Sequence, residues 1–386
     1  MLNRIVIFII TFLSFSGVFA VSADATGITV SAHSAVVMNA LTGEVIYAKA
    51  PYEKRGMAST TKIMTALLAV ENDSLEKQYK ANSSDVAVEG TSIGLKAGDA
   101  VSLEVLVKGM LLESGNDAAN VTATILGPGR DNFVALMNNR AKELGMNSTS
   151  FKNPSGLTEE GHYSTAYDMA ILASEAIKNR TFRDYCGAKS FRVAYGTPTK
   201  EVTFYNHNRF LNMYDGALGI KTGFTKASGR CLVTAVQKEG AILVGVTLNA
   251  PDDWNDHKKM FDYSFSKLKK VSVNLDCDDI SVPVVGGSER IVKAKLASPL
   301  QFFATDSFGE YKTEVYLMPF LYAGVNKNDY VGKAVVLDAQ GKEIACSYLC
   351  AKDSIAPKIT EAQKDNIPFV ERIIKNIKEG LSKRQA

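Results

Sequence analysis

The stretch SAVVMNALTGEVIYAK (34–49) carries two β-rich runs around Thr42 and Gly43, and RCLVTAVQKEGAILVGVTL (230–248) carries two more around Glu239 and Gly240. Such runs flanking a short turn read as hairpins. The chain between them has a different rhythm. KIMTALLAVE (62–71), LEVLVKGMLLES (103–114), DNFVALMNNRAKELGM (131–146) and TAYDMAILASEAIKN (165–179) read as helices, and Gly145 stands where a helix C-terminus favours one. DDWNDHKKMFDYSFSKLKK (252–270) reads as a further long helix. A sheet must cover its apolar face with another layer. Strands at both ends with helices between therefore predict one α+β domain over residues 24–270, its mostly antiparallel sheet closed by the two ends of the segment.

With 386 residues there is room for a second domain. Residues 271–358 change character: SVPVV, ERIVKAKL, TEVYLM and KAVVLDAQGKEIACSYL are short, β-rich and separated by turn residues, which predicts a small all-β domain. Hydrophobic residues are 46% and charged residues 22%, the balance of an ordinary globular core. A formal net charge of +3 demands no nucleic-acid partner, and no basic cluster interleaved with aromatics occurs.

Both ends differ from the middle. Arg4 precedes the apolar run IVIFIITFLSF, and small residues follow up to Ala23. This is the order of an export signal over residues 1–23, with an uncleaved anchor as the alternative. The chain is then expected outside the cytoplasm, at the outer face of the membrane, in the wall or in a periplasmic space. In residues 359–386, Val370, Ile373, Ile374, Ile377 and Leu381 recur at helical spacing among basic residues. That pattern predicts an amphipathic helix lying on a membrane surface, or else packed on the β domain or a partner.

Cys186, Cys231, Cys277, Cys346 and Cys350 make an odd count, which is not a disulfide framework. Cys346 and Cys350 fall in one expected strand, where four residues span roughly 13 Å, too far for a mutual disulfide. Buried free thiols are the expectation for most of the five. The four histidines are scattered without ligand spacing, so neither metal nor cofactor is expected.

Three short motifs carry the chemistry. Ser-x-x-Lys occurs at Ser59, Ser74, Ser264 and Ser266, and only at Ser59 does an apolar helix follow directly. There Lys62 shares a helical face with Ser59. A serine hydroxyl needs a base to become a nucleophile, and burial beside a second cation can make a lysine that base. Taken alone, Ser59 reads as a helix N-cap. Ser114-Gly115-Asn116 lies between two helical runs: a hydroxyl there can relay protons and an amide can hold a peptide, or the three form an ordinary turn. Lys221-Thr222-Gly223 opens a β-rich run. Lys and Thr suit a carboxylate, and Gly223 lets an extended peptide approach a strand edge, though a plain loop would read the same.

In this order, SxxK, SGN and KTG resemble the serine-type D-alanyl-D-alanine carboxypeptidases, the low-molecular-mass penicillin-binding proteins. MASTTKIMTALLAVE, LLESGNDAANV, AKELGMNSTSFKNPSGL, HYSTAYDMAILA and GIKTGFTKASGRCLV carry the resemblance. It implies a penicillin-binding-protein/β-lactamase-like catalytic domain, a small β domain and a terminal amphipathic helix. It implies Ser59 as nucleophile toward the penultimate D-Ala carbonyl of a peptidoglycan pentapeptide, Lys62 as base and Ser114 as proton relay. Asn116 would bind substrate amides, Lys221 and Thr222 the terminal carboxylate, and the N–H groups of Ser59 and Phe224 the oxyanion. β-Lactams would be covalent inhibitors. Some relatives add an arginine upstream of KTG, where this chain offers His207 and Arg209. A class A β-lactamase lacks support because no E-x-x-L-N stretch follows SGN. A muropeptide endopeptidase and a non-hydrolytic penicillin-binding sensor remain as alternatives.

Overall fold

A computed structural model describes residues 27–358. The expected export signal (1–23) and amphipathic tail (359–386) lie outside the described residues. The chain divides into two compact units. One reaches Lys269 and takes in Phe303–Phe308; the other comprises Lys270–Phe302 and the chain from Gly309.

The first unit is α+β. Its sheet is built from β1 (Ser34–Asn39), β2 (Val45–Lys49), β3 (Ala217–Thr225), β4 (Gly229–Lys238) and β5 (Ala241–Leu248), in the order β2-β1-β5-β4-β3. All four pairings are antiparallel, and the β1–β5 pairing joins the two framing hairpins. Every residue of β1 is buried, which explains its unbroken apolar run: the sheet is covered on both faces. Val36 and Met38 face the main helical core, whereas Ala35 and Val37 pack with Met260 and Phe261 of the helix Asp253–Lys267. β3 is left as the edge strand of this sheet.

Three helices position the site: α1 (Lys62–Val70), α2 (Leu103–Leu112) and α3 (Asn116–Leu126). α1 is apolar almost all round, and eight of its nine residues are buried, as expected for a helix enclosed by others. The helix Ala166–Ala176 begins on Thr165, whose side chain accepts from the Asp168 N–H. The helix Arg130–Glu143 ends just before Gly145, at φ +80°, matching the expected stop.

The N-cap reading of Ser59 does not hold. Thr61 occupies the position before α1, and Ser59 lies two residues earlier in a 3-10 turn, Ala58–Thr61. The segment is held from outside: Thr65 donates to the Pro154 carbonyl at 2.7 Å, and Thr61 meets His162 at 2.9 Å.

The second unit is all-β. Its six-stranded sheet runs Tyr311–Leu317, Tyr330–Asp338, Glu343–Ala351, Ile291–Leu296, Ser281–Val285, Leu321–Tyr322. Only the last pairing is parallel. Cys346 and Cys350 share one strand and are both free. The expectation of mostly buried thiols needs correction: only Cys186 and Cys231 are buried, while Cys346 is exposed. On this thin unit a strand presents alternate residues to solvent, and β-propensity says nothing about which face is inward.

Candidate active site

Ala58, at φ +47°, turns the chain sharply into the 3-10 segment and brings Ser59 to the floor of a cleft of about 490 Å³. Ser114, Asn116, Thr222, Gly223 and Phe224 line the same cleft. So three motifs far apart in the chain meet at one place. Ser114 itself holds φ +62° between α2 and α3, an uncommon conformation for a residue with a Cβ. Its carbonyl is fixed by the Thr91 hydroxyl at 2.7 Å.

Lys62 is fully buried, and its Nζ lies 3.1 Å from Ser59 Oγ. Two shorter contacts surround it: Asn116 Oδ1 at 2.6 Å and the Ser155 carbonyl at 2.7 Å. Both partners are acceptors only, so two N–H bonds of Lys62 are committed to them. A neutral amine then has its lone pair left for the Ser59 hydroxyl. The electrostatics act in the same direction. Burial first, and the Lys221 ammonium second, hold the Lys62 pKa well below the usual lysine range, against a smaller opposing pull from Asp117.

Lys221 is also buried, donating to the Thr222 carbonyl at 2.9 Å, and burial lowers its pKa to about 7. It does not line the cleft, whereas Thr222 does. Gly223 lies hard against the Ser59 turn: a Cβ there would stand 3.1 Å from the backbone nitrogens of both Ser59 and Thr60. Phe224, next along the edge strand, is 64% exposed and free to meet a ligand.

Several contacts had no marker in the sequence, among them a second role for Asn116. Asn116 grips Lys62 and anchors its own Nδ2 on the Glu89 carbonyl at 2.6 Å. Asp117 is buried and accepts from Ser92 Oγ and the N–H groups of Ile93 and Leu95, which ties down the loop over the cleft. An acidic residue in the first turn of α3 is the one signal that would have pointed to it. Ser155 acts through its backbone. His162 fastens the loop carrying Ser155: its Nδ1 accepts the Lys152 N–H at 3.0 Å, so its Nε2–H donates to Thr61. Burial lowers the His162 pKa to about 4, keeping it neutral for that role. Both His207 and Arg209 line the cleft, and His207 Nε2 sits 3.2 Å from Glu113.

Residues 18–252 match the D-alanyl-D-alanine carboxypeptidase family of peptidases. The chain belongs to this family. The carboxypeptidase is 32% identical over 335 residues to D-alanyl-D-alanine carboxypeptidase DacF of Bacillus subtilis, covering 84% of this chain and 86% of that one. It is 28% identical to DacA of Escherichia coli over 82% of its own length and 81% of the relative's. Among solved structures, DacD of Francisella tularensis superposes with a TM-score of 0.61 at 26% identity, over 86% of this chain and 95% of that one. The Streptomyces K15 DD-transpeptidase gives 0.59 at 31% identity, over 62% and 98% respectively. The family comprises serine peptidases that act on wall peptides and bind β-lactams, so the carboxypeptidase is a serine hydrolase of the cell wall, and its work lies outside the cytoplasm. Relatives of these names favour neither the endopeptidase nor the sensor.

Proposed function

We propose that this carboxypeptidase removes the terminal D-Ala from peptidoglycan pentapeptide stems through an acyl-enzyme on Ser59. The observation that supports it most is the Lys62 amine, with both N–H bonds committed elsewhere and a depressed pKa, 3.1 Å from Ser59 Oγ. Ser59 Oγ attacks the carbonyl carbon of the penultimate D-Ala, and its proton passes to Lys62 Nζ. The N–H groups of Ser59 and Phe224 hold the oxyanion. The proton then travels through Ser114 to the departing nitrogen, the C–N bond breaks, and D-Ala leaves. Water attacks the ester carbonyl carbon and Lys62 takes its proton; as the C–Oγ bond breaks, Lys62 returns that proton to Ser59 Oγ and the shortened stem departs. Asn116 serves twice in this scheme, orienting Lys62 and facing the substrate amide. The native protein is expected to release D-Ala from a pentapeptide ending in D-Ala-D-Ala, and the Ser59→Ala variant none; equal release by both would refute the assignment.

The outer ends of the chain extend the proposal. Residues 1–23 would direct export, and residues 359–386 would rest on the membrane, with the β unit as spacer. Among the described residues no helix is long and apolar enough to cross a membrane. Removing the chain after Ile367 is expected to release the mature enzyme from membranes while leaving activity on small peptides intact. Continued retention after signal cleavage would contradict the role of the tail, and sedimentation of membranes followed by immunoblotting distinguishes the two.

A further inference from the structure

A strand with one face in water alternates apolar residues inward with polar residues outward. The second unit breaks that rule at one edge of its sheet. In Ser281–Val285 the inward residues Val282 and Val284 are buried, but the outward ones, Pro283 and Val285, are apolar too and exposed. Ile291 stands opposite Pro283 on the next strand and is 50% exposed. On the other side Tyr322 stands opposite Val285 and is 72% exposed, and the Phe320 ring meets that of Tyr322 edge-on, 5.4 Å between centroids. Residues opposed in a ladder share a face. Ile291, Pro283, Val285, Tyr322 and Phe320 therefore form one continuous apolar patch that runs out to the edge strand Leu321–Tyr322. Farther along the sheet the exposed Tyr316 and Tyr348 flank Lys333, which is paired with Glu343 at 3.3 Å, so the surface there is ion-paired.

We infer that this patch is a second membrane contact, entering the lipid interface beside the tail. The inference rests on the membrane role proposed above for residues 359–386. What selects lipid as the occupant is where the described chain ends. Lys358 donates its N–H to the Gly286 carbonyl at 2.8 Å, one residue beyond Val285, and Pro357 bridges to Gly287. From Lys358 the sequence passes directly into residues 359–386, with their apolar positions at helical spacing among basic ones. The patch thus sits at the root of the segment assigned to the membrane. Its chemistry suits an interface. Single exposed apolar residues are ordinary, whereas a continuous group with aromatic members marks a binding surface. A tyrosine keeps its hydroxyl among headgroups while its ring, with phenylalanine and aliphatic neighbours, enters the apolar layer. Lys293 and Lys358, both exposed at the border, suit anionic headgroups. Once the tail is bound, the patch meets the bilayer as an intramolecular event, so even a weak contact adds to retention.

The test measures binding of the full mature enzyme to vesicles of phosphatidylcholine and phosphatidylglycerol. Phe320→Ser combined with Tyr322→Ser should weaken binding about 30-fold, the effect of withholding two partly inserted aromatic side chains from lipid. Thermal unfolding of the double variant should stay native, because both side chains are exposed. Tyr322→Trp gives a direct reading: its emission should shift to the blue on vesicles and be quenched by brominated lipid. The native enzyme, with Trp254 as its one tryptophan, supplies the baseline. Native-strength binding by the double variant, with binding lost on removal of the chain after Ile367, overturns the patch and leaves the tail in place. A native enzyme that binds no vesicles overturns tail and patch together. Tighter binding by the double variant would mean that the patch holds the tail, and a dimer in sedimentation that the double variant disperses would mean that a second copy covers it; either overturns the inference.

Discussion

Lys62→Met is expected to lower the rate of Ser59 acylation by roughly 10³-fold, the scale of a lost general base, while the protein stays folded. The two halves of that expectation have separate causes. Without the amine, Ser59 Oγ loses the base that bonds it among the described residues; Asn116 Oδ1 and the Ser155 carbonyl, the other partners of Lys62 Nζ, are amide oxygens too weakly basic to replace it. Stability moves little because the lysine is a burden to the fold. Its pKa is depressed mainly by burial, so the folded state disfavours the ammonium that the unfolded chain carries at neutral pH. Methionine fills a similar volume without that penalty, although it leaves two acceptors to be satisfied by water. Rapid-mixing acylation with a chromogenic β-lactam measures the first half and thermal unfolding the second. An acylation rate within a few-fold of native would remove Lys62 from the chemistry.

Gly156→Ala is expected to damage the site and the fold together. A Cβ at residue 156 would stand 1.9 Å from the Ala58 carbonyl oxygen and 2.5 Å from its carbon, both backbone atoms of the nucleophile turn. Gly156 also holds φ +87°, which a side chain resists. Either Ala58 shifts, carrying Ser59 with it, or the loop retreats and withdraws the Ser155 carbonyl from Lys62. Misplacing a reacting group by about an ångström costs on the order of 10²-fold in rate, and the clash with backbone strain should destabilise the unit by about 2–4 kcal/mol. Acylation kinetics and urea unfolding of the same variant check both. A variant native in both respects would mean that the contact between this loop and the turn is not a tight constraint.

The residues that sequence reasoning reached are those whose meaning is local. Ser59 and Lys62 are one helical turn apart, so their meeting follows from spacing alone, although the turn proves to be 3-10 and Ser59 no cap. The framing hairpins were legible because both covered faces of β1 demand unbroken apolar residues. What escaped detection depends on distant partners. Nothing in SGN says that Asn116 will grip a lysine 54 positions away. The Ser155 carbonyl is a backbone atom and leaves no trace in composition. The burial of Lys221 is likewise invisible, since lysine is read as a surface residue until packing shows otherwise. Phe303–Phe308 joins the first unit although it lies far beyond its apparent end; there Thr305 donates its N–H to Glu44 at 3.1 Å.

The central claim is that Ser59 carries the acyl group and Lys62 enables it. Intact-mass spectrometry of the mature protein with benzylpenicillin, followed by peptide mapping, addresses it directly. One adduct of the mass of the drug, located on the peptide containing Ser59 and absent from Ser59→Ala, is the predicted result. An adduct that persists in Ser59→Ala, or that maps to Ser114, would place the nucleophile elsewhere and contradict the account.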